Sequence, residues 1–127
     1  MPDTACIHFC TVSQASETRS ELEGTDLCVL RLDASTIDSD DALFGALALS
    51  LSFPDYFGRN WDAVDECLRD LSEWMPASGY VLFIEGSSHL WKKATLTAGH
   101  LISAWQFCTK NWMAEGKPFH LVFVIDS

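Results

Sequence analysis

Three short apolar runs, LCVLRL (27–32), YVLFIE (80–85) and FHLVFVI (119–125), constrain this chain more than any other feature. They are largely apolar rather than alternating, so as strands they would be buried on both faces. That is the pattern of a sheet covered by helices, in which parallel pairing is the rule. Parallel neighbours cannot be joined by a hairpin and need a crossover of roughly a dozen residues or more. The intervals between the runs are long enough for helical crossovers. The order strand, helices, strand, helix, strand predicts an α/β fold with right-handed connections.

The crossovers carry helix signals of their own. In DASTIDSDDALFGALALSLS, Ser39 is placed to cap a helix, and Asp40 and Asp41 favour its positive end. Leu43, Ala46, Leu47, Ser50 and Leu51 trace one face, and Pro54 ends the element because it lacks a donor and restricts Phe53. A second long helix is predicted within 95–115, where Leu101, Trp105, Cys108 and Trp112 recur at the spacing of a buried stripe and Gly116 marks the stop. These tryptophans read as core rather than as cofactor contacts. Residues 1–26 are less regular: ACIHFCTV is short and apolar enough for an extra edge strand, whereas SQASETRSELEGTD reads as polar and turn-like.

Composition excludes several classes of function. At 127 residues and 48% hydrophobic, the chain can bury the core of one domain without disulfides. No apolar run reaches the length of a membrane span, and no basic segment precedes the weakly apolar start, so the expectation is a cytoplasmic protein with no membrane contact. The five cysteines form no CxxC and the four histidines no HxxH or HExxH, which predicts reduced, mostly buried thiols and neither a metal nor a cofactor. The net charge is −10 and is concentrated in residues 1–85, which hold 16 acids against four bases. Such a surface does not bind nucleic acid directly, because phosphates need a basic patch. It suits a basic protein partner, whose approach the opposite field would accelerate.

The densest part of that charge lies in FPDYFGRNWDAVDECLRDLSEW, residues 53–74. Asn60 can cap a helix there. Trp61, Val64, Leu68 and Leu71 then form its apolar stripe, while Asp62, Glu66, Asp70 and Glu73 fall on the opposite face with Asp65 at the flank. The like-charged neighbours at i,i+4 oppose the helix by roughly 0.2–0.5 kcal/mol per pair, a penalty small enough for an ordinary solvated face. Tyr56 and Phe57 lie on the turn beside this face, and aromatics adjoining charges that can be desolvated are a common composition of an interface hot spot.

The run FPDYFGRNWDAVDECL resembles the signature of the barstar family of ribonuclease inhibitors: proline, acid, two aromatics, glycine, asparagine, an apolar residue, then aspartate and alanine. The order of elements from Leu27 to Ser127 is also similar. The resemblance implies a small three-stranded parallel sheet flanked by helices over residues 27–127, preceded by an N-terminal extension, residues 1–26, expected to be partly flexible. It also implies an intracellular immunity protein that occludes the cationic active site of a cognate toxin, with no catalytic residues of its own, as a monomer in a 1:1 complex. Carried over by position, Tyr56, Phe57, Asn60, Asp62 and Glu66 occupy the inhibitory loop and helix, and Asp65 and Asp70 complete the expected surface. Glu66 stands where the family has its dominant phosphate-mimicking aspartate. Asp65 replaces an aromatic, and Thr109, Lys110 or Asn111 stands where a further acid is expected, departures that imply a toxin other than the namesake's.

Two other functions compete with inhibition. Asp62 and Glu66 could form an acid/base pair for carbohydrate hydrolysis, but an exposed helix offers no burial to tune their pKa values. The same acidic face could serve an adaptor with a partner that is not a toxin.

Overall fold

The structure, a computed structural model, describes residues 6–125. In chain order the elements are β1 (Ile7–Thr11), α1 (Val12–Leu22), β2 (Cys28–Asp33), α2 (Asp40–Ser50), α3 (Trp61–Arg69), β3 (Tyr80–Glu85), α4 (Ser87–Lys93), α5 (Thr95–Ala114) and β4 (Phe119–Ile125). A 3₁₀ turn at Leu71–Glu73 follows α3. The strands form one parallel sheet in the order β1-β4-β3-β2. The sheet therefore has four strands rather than the expected three. The fourth is β1, which pairs along β4 with Ile7 opposite Leu121 and Thr11 opposite Ile125.

Interior position explains the most apolar runs. β3 lies between β2 and β4, and every residue from Tyr80 to Ile84 is buried. Side chains alternate across the sheet. Tyr80, Leu82 and Ile84 pair with Phe119, Leu121 and Phe123 and face the main core, together with α2, α3 and α5. Val81 and Phe83, with Val122 and Val124, face a smaller cluster closed by Ala15 of α1.

The main core is organised around aromatic rings, and the indole N–H groups of Trp105 and Trp112 are both satisfied. Trp105 stacks on Phe119 with centroids 4.0 Å apart and planes 10° from parallel. Its Nε1–H donates to the Phe119 carbonyl at 3.1 Å. Trp112 donates to the Leu68 carbonyl at 3.1 Å, which ties α5 to α3. Gly116, at φ +72, supplies the left-handed residue that ends α5.

The segment read as polar and turn-like is instead α1. Thr11 and Gln14 form a reciprocal capping box: the Gln14 N–H donates to Thr11 Oγ1 at 3.3 Å, and the Thr11 N–H donates to Gln14 Oε1 at 2.9 Å. Arg19 then holds the helix to the sheet. Its guanidinium lies 5.1 Å above the Phe83 ring and donates to Glu85 at 2.7 Å, and Arg31 donates to the same carboxylate at 2.8 Å. Residues 1–5 of the expected N-terminal extension lie outside the described residues.

All five cysteines are free, and Cys6, Cys67 and Cys108 are buried. Burial, reinforced by the Asp65 carboxylate and opposed by Arg69, pushes the Cys108 thiol up to about 12. Its Sγ–H donates to the Asp65 carbonyl at 3.5 Å, so it is a packed group and not a nucleophile.

Candidate functional site

The loop 51–60 and α3 are held from three directions. Phe57 turns inward, where it meets the Phe53 ring at 4.8 Å and the Phe44 ring at 6.2 Å. Arg59, at φ +54, reaches back to α2, where its Nη2–H donates to both the side chain and the carbonyl of Asp41 at 2.9 Å. Trp61 donates through Nε1 to Asp40 at 3.2 Å, and Thr97 of α5 donates to the other oxygen of the same carboxylate at 2.6 Å. One aspartate thus joins the starts of α2, α3 and α5. The loop is fixed before any partner arrives, which lowers the ordering entropy that binding must overcome.

Asn60 caps α3 as its sequence position predicts, accepting the Ala63 N–H at 2.8 Å. Val64, Cys67 and Leu68 face the core. Asp62 and Glu66 are exposed on the outer face, and Asp70, half-buried, forms the C-terminal cap. The residues expected at the interface therefore separate by environment. Tyr56 is 67% exposed and is the aromatic presented to solvent, while Phe57 is half-buried and anchors the loop. The Tyr56 hydroxyl is held above the ordinary tyrosine range by desolvation, then by the Cys67 thiol where it ionises and by the Asp70, Glu73 and Glu66 carboxylates. Tyr56 lies on the loop that leads directly into the acidic helix.

Asp65 is placed differently from its charged neighbours. It is half-buried against α5, and its Oδ1 is buried with no hydrogen-bond donor among the described residues. Desolvation raises its carboxyl above the ordinary range; Arg69 opposes the shift and Asp62 adds to it. A carboxyl whose folded-state pKa is raised destabilises the fold at any pH where it is ionised. That penalty is full above the folded-state pKa and vanishes below the unfolded value of about 4. Asp65→Asn is expected to be more stable than wild type at pH 7, with the difference shrinking on acidification. Urea titrations at pH 7 and near pH 4 measure it, and a variant that is less stable at pH 7 would contradict the assignment.

On the final helix, Thr109 is buried and donates to the Trp105 carbonyl at 2.8 Å, while Lys110 and Asn111 are exposed. The stretch expected from the family to carry an acid is therefore neutral or basic at its surface. Among the described residues no cluster of three or more His, Cys, Asp or Glu side chains could hold a metal ion, and no helix is long and apolar enough to cross a membrane.

A search of curated proteins finds no match. The family model for barstar, the barnase inhibitor, matches residues 27–124, which takes in α2, the anchored loop, α3, α5 and the strands β2 to β4. With that match spanning most of its length, the chain belongs to the barstar family.

Proposed function

We propose that this protein is a cytoplasmic immunity protein that binds a cognate basic toxin, a ribonuclease, in a 1:1 complex and occludes its cationic active site. The observation that carries the reading is the outer face of α3. Asp62 and Glu66 stand exposed on a rigid helix with Tyr56 beside them, and Arg69 is the one cation of that helix. Carboxylates fixed in this way replace substrate phosphates among the toxin's arginines and lysines at little conformational cost, and opposite fields speed the encounter. In this reading Tyr56, Asp62, Glu66 and Asp70 touch the toxin, whereas Phe57 and Asn60 act by holding the loop and starting the helix.

The protein itself turns nothing over. Both carboxylates lie on the open side of a helix, where none of the described residues encloses a substrate or excludes water. The test takes a basic, secreted ribonuclease sought in the neighbouring reading frames, produced as a catalytically silenced variant for binding and in active form for the assay. One molar equivalent of this protein is expected to abolish ribonuclease activity. A complex with a partner that is not a toxin, together with no effect on the ribonuclease, would assign the acidic face to an adaptor instead.

A further inference from the structure

Between α3 and α5 lies a shallow cleft of about 350 Å³, lined by Trp61, Asp65, His100, Ser103, Ala104 and Phe107. Its chemistry is unusual for the surface of a small domain. Asp65 lines its wall half-buried, and one of its carboxylate oxygens has no donor among the described residues. The walls are aromatic. Trp61 meets His100 edge to face at 5.4 Å and has its N–H committed to Asp40, so it offers the cleft a ring and no donor. Phe107 is 57% exposed although large and apolar. It continues a stripe on the outer side of α5 with Leu96, His100 and Ser103, spaced at i, i+4, i+7 and i+11. Leu96 at the head of that stripe is 81% exposed.

The occupant must satisfy a carboxylate and aromatic rings together. An apolar side chain would bury Asp65 further and supply no donor. A lysine would supply charge, but it is a strongly hydrated point cation that covers rings poorly. A guanidinium meets both demands: its edge donates to a carboxylate and its faces stack on aromatic rings. The surroundings also select a cation, since Asp62 and Glu66 stand on the same helix and Asp70 caps it, against the single cation Arg69. We propose that the α3/α5 cleft receives one arginine side chain of the protein partner, with its guanidinium on Asp65 between the Trp61 and Phe107 rings. The immunity reading supplies the source of that arginine, a basic toxin already docked on α3. The contact widens the interface from one helix to two.

Two measurements separate the cleft from the function. The full chain is titrated with N-acetyl-arginine amide, followed by the aromatic side-chain resonances of Trp61, His100 and Phe107. Saturable shifts are expected at millimolar concentration, about tenfold weaker with N-acetyl-lysine amide and absent in Asp65→Asn. Equal response to the two amides, or survival of the response in Asp65→Asn, overturns the proposal. The second measurement is affinity for the toxin. Asp65→Asn and Phe107→Ser are each expected to weaken it about tenfold or more. Unchanged affinity in both variants retains the immunity protein and rejects the cleft. An arginine response without any toxin binding retains the cleft and rejects the immunity reading.

Discussion

Trp105→Ala is expected to lower the free energy of unfolding by about 3–5 kcal/mol, the range for truncating a buried tryptophan. Three losses combine at this position. The indole is fully buried and fills the space between α5 and the sheet. Its face-to-face contact with Phe119 disappears. The Phe119 carbonyl, which accepts the Trp105 N–H, is left with one partner fewer in a dry core. Urea denaturation with an unchanged m-value measures the effect, and Leu96→Ala, on the exposed side of the same helix, is expected to stay within about 0.5 kcal/mol of wild type. A loss below about 1 kcal/mol at Trp105 would mean that the ring is not the keystone of the helix–sheet contact.

Glu66→Ala is expected to act on binding and to spare the fold. If the Glu66 carboxylate enters a basic cleft, its removal strands buried cations and weakens the complex by about 2 kcal/mol or more. The folded protein should be as stable as wild type or slightly more so, because like-charge repulsion with Asp62 and Asp70 is relieved. Glu73, further along and exposed, should alter mainly the association rate and its salt dependence. Calorimetric titration of the toxin with each variant, paired with thermal melts, separates these effects. Wild-type affinity in the Asp62→Ala, Glu66→Ala double variant would reduce the acidic face to a solvated surface.

The parts of the fold legible in the sequence are those with a continuous apolar run or a regular apolar stripe. β3 and β4 are continuous apolar runs because both lie inside the sheet, and α5 shows its stripe because one whole face meets the core. β1 and β2 both lie at an edge and are half-buried, but β1 is the harder to read because His8, Cys10 and Thr11 interrupt its five residues. α1 buries Ala15 alone, so its composition hides it; the threonine–glutamine pair of its capping box, Thr11 and Gln14, is the local signal that marks its start. The site divides in the same way. Helical period is enough to put Asp62 and Glu66 outward, but the inward turn of Phe57 depends on Phe44 in another helix. The special position of Asp65 depends on where α5 crosses, which no local pattern encodes.

The position of β1 bears on how this domain avoids sticking to itself. Without it, β4 would present its run of backbone donors and acceptors, in the sequence FHLVFVI, to any passing strand. Without α1, Val81, Phe83, Val122 and Val124 would form an uncovered apolar sheet face behind that edge. A chain trimmed to residues 27–127 would therefore combine an open edge with a bare greasy face, the two conditions for strand-to-strand aggregation. Residues 7–22 thus act as a built-in sheath, and solubility of the domain depends on them even though they lie far from its acidic helix in sequence.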